Sequence, residues 1–245
     1  MSSDSAVVLI TGAGKRIGAA LATHLHARGY AIALHYQHSK TEIEALRDGF
    51  NAARAGSAIC LQADLGDSTK RDALIPATIE HFGRLDVLIN NASSFYPTPI
   101  GGVTDADWDA LFDANARAPF FLAQAAAPYL RERQGCIVNL LDIYAERPKP
   151  KHSVYCMAKA AHRMLTQSLA LELAPAVRVN GIAPGAILWP EAGTTEAQQQ
   201  ALIDATPLAR IGSLVDICEA ASFLIESAGF CTGQILDVDG GRLLR

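Results

Sequence analysis

Short apolar runs without polar alternation recur along this chain, and longer stretches with helical periodicity separate them. Runs of this kind suit strands buried on both faces. Residues 6–11 form the first, and a helix over 16–28 follows, stopped by Gly29. Further strands are expected over 31–36, 58–62, 85–90, 136–140, 177–182 and 234–238. Helices are expected over 40–55, 68–82, 105 to about 133 with a break near Pro119, 153–173, 194–204 and 214–227. Thr104 is placed to cap the helix that starts near Asp105. Seven strands joined by helical crossovers predict an α/β fold, a doubly wound parallel sheet with helices on both faces. No linker, repeat or low-complexity tract divides residues 1–245, so one domain is expected. Loops at 101–102 and 190–193 lie within it. The second follows the C-terminal end of a strand, where such sheets bind ligands, and is a candidate lid.

Composition removes several function classes. Half of the 245 residues are hydrophobic and the formal net charge is −4. This balance carries no basic footprint for nucleic acid, and no apolar run approaches the roughly 20 residues of a membrane span. The polar start, residues 1–5, has no basic stretch ahead of an apolar one, which predicts no secretory signal and a cytoplasmic protein. Five scattered cysteines form no C-x-x-C pair and show no ligand spacing with histidine, so no metal is expected. Cys156 adjoins a tyrosine of interest but reads as a small hydrophobe.

The candidate chemistry begins with Tyr155 and Lys159, four residues apart and so on one helix face. Alone the pair is equally an exposed helix surface. It gains weight from the glycine-rich segment 11–18 between the first strand and the first helix. Glycines there let backbone N–H groups approach a pyrophosphate at a helix N-terminus. The spacing departs from G-x-G-x-x-G, and an ordinary strand-to-helix turn is the alternative. The second strand ends in His35, Tyr36, Gln37, His38, Ser39 and Lys40, with no acid to bind a ribose 2′-hydroxyl. Donors and positive charge suit a 2′-phosphate, hence NADPH, unless this is a solvated polar loop. Asp64 either accepts from an adenine amino group or opens a turn with Leu65 and Gly66.

Segment 11–18, Asp64, Asn90, Asn91, Ala92, Asn115, Tyr155, Lys159, Pro184 and Gly185 together resemble the short-chain dehydrogenase/reductase family over the whole chain. The resemblance implies a Rossmann-type single domain, with a cofactor-binding N-terminal half and a catalytic, substrate-binding C-terminal half. It implies that Gly12, Lys15, Arg16, Ile17, His35, Tyr36, His38, Ser39, Asp64, Leu65, Asn91, Ala92, Ser93, Tyr155, Lys159, Pro184 and Gly185 contact the cofactor. It also implies that Asn115 holds a water in a proton relay, that Pro184 and Gly185 contact the nicotinamide amide, and that the chain forms a homotetramer. In that arrangement the last strand and preceding helix build an interface, and Arg245 either approaches a neighbour's active site or is a surface terminus.

Two positions depart from most of the family. Arg16 stands where most members carry glycine, and Asp142 where most carry serine, 13 residues before the tyrosine. Both look like the pteridine reductase branch, as does the segment 90–99. Gln37 and His38 depart from that branch, where basic residues occur. The implied activity is NADPH-dependent reduction of biopterin or dihydrobiopterin, with folate or dihydrofolate as further substrates. In this reading Asp142, Tyr155, Lys159 and Asn115 are catalytic. Arg16, Ser93, Phe95, Asp142, Tyr155 and Trp189 bind the pterin. Phe95 stacks on the flat ring, Tyr155 gives a proton, and Lys159 lowers the Tyr155 pKa. Phe95 and Tyr96 read alternatively as aromatics tucked onto the core, and Trp189 either covers the pocket or packs. The rival activities are dihydromonapterin reduction, a generic carbonyl or 3-oxoacyl reductase, and a non-enzymatic dinucleotide sensor.

Overall fold

The computed structural model describes residues 5–189 and 193–245. Its seven strands are β1 (Val7–Ile10), β2 (Ala31–Tyr36), β3 (Ala58–Gln62), β4 (Val87–Asn90), β5 (Cys136–Leu140), β6 (Arg178–Pro184) and β7 (Ile235–Val238). They form one sheet in the order β3-β2-β1-β4-β5-β6-β7, every neighbouring pair parallel. Winding runs outward both ways from the β1–β4 boundary, which is the switch point where ligands enter such sheets. β1, β2, β4 and β5 are buried along their full length. That burial explains their unalternated apolar sequences, because crossover helices cover both faces.

The helices are α1 (Arg16–Ala27), α2 (Lys40–Ala53), α3 (Ser68–Asp72), α4 (Leu74–Phe82), α5 (Asp105–Phe112), α6 (Ala118–Arg133), α7 (Ser153–Leu173), α8 (Glu196–Asp204) and α9 (Leu214–Ser222). Thr104 caps α5 as expected, in a reciprocal box with Asp107. Such a cap contributes about 1 kcal/mol. Two expected helices differ in detail. Residues 68–82 split into α3 and α4 at Ala73. The break expected near Pro119 lies just ahead of it, as the π-helical turn Asp113–Arg117. Pro119 has no N–H to give, so the carbonyl of Asn115, four residues earlier, has no α-helical donor. The turn therefore widens at the residue on which the family resemblance puts a water.

Two apolar layers flank the sheet. One packs Leu21, Leu25, Ile43 and Ile217 against Val8, Ile10, Ile32 and Leu34 of β1 and β2, and the other packs Leu74, Leu122, Leu130 and Leu169 on the opposite face. α7 crosses β5 and β6 and brings its buried stripe, including Tyr155, Lys159, His162 and Thr166, onto the C-terminal half of the sheet. No helix among the described residues is long and apolar enough to cross a membrane.

Candidate active site

A cleft of about 830 Å³ opens along the C-terminal ends of the strands at the switch point, lined by Gly12, Arg16, Asp64, Asn91, Ala92 and Ser93 among others. It joins a second hollow of about 290 Å³ through the shared residues Arg16, Ile17, Asn91 and Ser93. The smaller hollow is lined by Phe95, Asp142, Tyr155, Lys159, Pro184 and Gly185. Most of the expected dinucleotide residues and the expected chemical residues Asp142, Tyr155 and Lys159 therefore sit in one continuous trench.

The Gly12 turn owes its shape to neighbours on two strands. Gly12 has φ of +64°, and a Cβ there would press on Ala92. The Asn91 side chain donates to the carbonyls of Thr11 and Gly12, at 2.8 and 3.0 Å. The Thr11 hydroxyl in turn accepts from the backbone of Asn91 and Ala92. A Cβ on Gly18 would lie 2.1 Å from the Gly12 carbonyl, so α1 can start this close only with glycine there. The result is an exposed helix N-terminus at the trench wall, a donor set that fits a dinucleotide pyrophosphate.

At the end of β2, His35 lines the trench as expected but without the expected charge, and the trench position expected of Tyr36 is corrected. His35 is buried, accepts from Gly12 N–H at Nδ1 (3.0 Å) and donates from Nε2 to the Ala63 carbonyl (3.2 Å). Both partners define a neutral ring, and burial lowers its pKa to about 4. His35 therefore braces the glycine turn and supplies no positive charge. Tyr36 packs in the core under α1 and α2 and does not line the trench, because alternate side chains of a doubly covered strand point inward. His38 is exposed beyond the rim, while Gln37 lines it. The Ser39 hydroxyl sits where a Gly14 Cβ would go, against the turn. Asp64 both lines the trench and accepts from Gly66 N–H at 2.9 Å, so the two readings of this residue coexist.

Arg16 opens α1 with φ of +51°, in the left-handed region. A side chain there costs about 1–2 kcal/mol that glycine avoids. Arg16 stands at the junction of both hollows. Arg16→Gly is expected to leave the melting temperature unchanged or slightly raised while the KM for the dinucleotide rises about tenfold. Thermal melts and initial rates on one preparation check both parts.

The chemical end is built around Asp142. Tyr155 donates to its Oδ2 at 2.7 Å, and Tyr144 N–H donates to its Oδ1 at 2.9 Å. Burial raises the Asp142 pKa against the pull of these donors. Lys159, buried in α7, donates to the Leu140 carbonyl at 2.9 Å, and burial lowers its pKa to about 8 while Asp142 opposes the shift. In the protein alone, burial dominates the Tyr155 phenol. Burial, then the Asp142 carboxylate, pushes the phenol well above its ordinary range, and the Lys159 ammonium lies 5.9 Å from the ring centre. Tyr155 is held as an acid that donates its proton in a hydrogen bond to Asp142.

Asn115 sits fully buried in the π turn. Its side chain accepts from Ser93 Oγ at 2.6 Å and donates to the carbonyls of Ser94 and Leu111, both at 2.9 Å. With both amide hydrogens committed, its side chain positions Ser93, and its backbone carbonyl, left without an α-helical donor, is open to the water. Phe95 is half exposed, stacks on His152 at 4.8 Å and meets the Tyr155 ring edge-on at 4.8 Å. One Phe95 face is thus taken by His152. Ile187 and Leu188 line the smaller hollow, whereas Trp189 does not, and residues 190–192 of the expected lid lie outside the described residues. His152, Ile187 and Leu188 escaped sequence reasoning because nothing in their spacing marks them. They reach the site only through loop paths.

A family model described as enoyl-(acyl carrier protein) reductase matches residues 12–242. The chain belongs to the short-chain dehydrogenase/reductase family. It is 36% identical to pteridine reductase 1 of Leishmania tarentolae, covering 98% of this chain and 97% of that protein. It is 35% identical to a 3-oxoacyl-(acyl-carrier-protein) reductase of Staphylococcus aureus, covering 95% and 96%. Versicolorin reductase 1 of Aspergillus parasiticus is 33% identical over 97% of this chain and 96% of its own length. As a short-chain dehydrogenase/reductase, the chain is an oxidoreductase that uses a nicotinamide cofactor. The spread of substrates among such relatives leaves the choice of substrate to the residues of this trench.

Proposed function

We propose that this short-chain reductase uses NADPH to reduce dihydropterins, with dihydrobiopterin as the reference substrate and dihydrofolate as a further one. The observation that carries the reading is the Asp142 carboxylate, which accepts at both oxygens at the reacting end of the hollow. A ketone offers only acceptor lone pairs, and a carboxylate beside it repels them. A pterin edge offers ring N–H and amino donors, which a carboxylate complements. The exposed Phe95 face beside Tyr155 gives the flat ring a stacking surface. Pteridine reductase 1 among the relatives agrees with this choice, and the 3-oxoacyl reductase is the enzyme rival.

When bound, the nicotinamide supplies the hydride. The protein's own residues supply the rest. Tyr155 gives its proton to the nitrogen beside the reduced carbon, and Asp142 holds the phenol in line and receives the substrate's donors. Lys159, charged below about pH 8, binds ribose hydroxyls and offsets the phenolate left behind. Arg16 and Ser93 hold the polar edge of the pterin against the cofactor phosphates. The acid-free rim at Gln37, His38, Ser39 and Lys40 supports NADPH over NADH, because a 2′-phosphate meets no carboxylate at the end of β2. A homotetramer built on the exposed apolar residues Trp108, Phe120 and Phe121 of α5 and α6 and Met164 and Leu171 of α7 completes the proposal.

Calorimetric titration of the NADP⁺-loaded protein with 7,8-dihydrobiopterin tests the binding step. Saturable binding that Asp142→Ala weakens at least tenfold is expected. Equal binding in the two proteins would remove Asp142 from pterin recognition. The same preparations should show kcat/KM for NADPH at least about tenfold above that for NADH.

A further inference from the structure

His162 is fully buried on α7, three residues after Lys159, and neither of its ring nitrogens has a hydrogen-bond partner in the protein. A buried polar atom without a partner costs about 1–3 kcal/mol, so two on one ring call for a reason. The ring belongs to a polar set beneath the active site. Asn90 of β4 donates to Asn139 of β5 at 2.9 Å, and Asn139 donates to the Thr166 hydroxyl at 2.9 Å. Thr166 donates to the backbone carbonyl of His162, again at 2.9 Å. Asn90 Oδ1 is a further buried acceptor without a protein partner. Lys159 uses one ammonium hydrogen on Leu140, and two remain.

We propose that His162 is a positioning residue for Lys159, joined to it by an enclosed water that accepts from the ammonium and donates to an imidazole nitrogen. Residues three apart lie on one helix face, and both side chains here are buried, so a single water that reaches both would give the ammonium an acceptor and the imidazole a donor. Burial and the Lys159 charge both hold His162 unprotonated, which leaves one nitrogen as the acceptor the water needs. Tyr155, the titratable neighbour of Lys159 on α7, donates to Asp142. Asp142, on the loop after β5, is the carboxylate that acts on Lys159. Arg178 of β6 is committed to the carbonyls of Leu224, Ile225 and Ala228. In the π turn Asp113 pairs with Arg117, and Arg163 of α7 pairs with Glu146. The acceptor at His162 thus works with Asp142 to keep Lys159 charged against the burial that favours its neutral form.

This inference rests on the Tyr155–Lys159 chemistry of the family and not on the pterin reading. The test is the pH profile of kcat for wild type, His162→Leu and His162→Gln, on whichever of a dihydropterin or a 3-oxoacyl thioester is turned over. Loss of the acceptor lets the ammonium release its proton earlier, so the alkaline limb of His162→Leu moves about one unit lower. His162→Gln, which keeps an acceptor, restores part of the shift. Superimposable limbs, with only the melting temperature altered, would overturn the proposal and leave His162 a packing residue. Should His162→Leu not fold, nitrogen-15 NMR of the wild-type ring decides. A neutral ring whose unprotonated nitrogen carries a hydrogen bond supports the water, and a bare lone pair overturns it.

Discussion

Tyr155→Phe loses about a thousandfold in kcat while its dissociation constant for NADPH stays within about twofold of wild type. The size follows from the role. A positioned general acid contributes roughly a hundredfold to ten-thousandfold, and a thousandfold corresponds to about 4 kcal/mol in the barrier. The phenylalanine ring keeps the edge-on contact with Phe95 and the packing in α7, so the hollow holds its shape. Only the hydroxyl that donates to Asp142 is removed. In the proposed complex the cofactor is held by the Gly12 turn, Asn91 and Lys159, whose contacts within the protein the substitution leaves in place. Stopped-flow binding of NADPH and steady-state rates on the same preparations separate the two quantities. A variant that keeps its kcat would move the proton donor elsewhere.

Asp142→Ser reverses the substrate preference. The carboxylate makes two charge-assisted hydrogen bonds to the protein and, in the proposed complex, further ones to the pterin edge. Such bonds are worth about 1.5–3 kcal/mol each, so kcat/KM on dihydrobiopterin should fall about a hundredfold. The same change installs a hydroxyl that can donate to a carbonyl, and turnover of a 3-oxoacyl thioester should rise. The phenol responds as well. Burial first and Asp142 second raise the Tyr155 pKa, so removal of the carboxylate lowers that pKa in part and leaves it above its ordinary range. Parallel losses on both substrates would mean that Asp142 serves only to orient Tyr155.

The sheet was largely legible in the chain because strands covered on both faces have no reason to alternate. The apolar runs at 31–36, 58–62 and 136–140 coincide with β2, β3 and β5. Helix ends marked by capping chemistry, as at Thr104, were equally plain. The π turn was not, because its cause lies in the missing N–H of Pro119 and its position is set by packing of Asn115 under Ser93 and Ser94. Within the site, residues tied to a motif arrived together in one trench. His35 and Tyr36 show where motif reading stops. A sequence places them at the end of β2 but not on which side, and one braces a turn while the other fills the core. Charge state was hidden for a similar reason. That Tyr155 is held as an acid by Asp142 depends on burial, which composition does not encode.

The most direct measurement is the ratio of kcat/KM for 7,8-dihydrobiopterin to that for a 3-oxoacyl thioester, read from loss of NADPH absorbance. A carboxylate that only accepts, set between a stacking ring and the proton donor, predicts a ratio well above one, with dihydrofolate also turned over. Oxidation of NADPH with the thioester alone would contradict the pterin assignment and make this a carbonyl reductase in which Asp142 serves the proton relay.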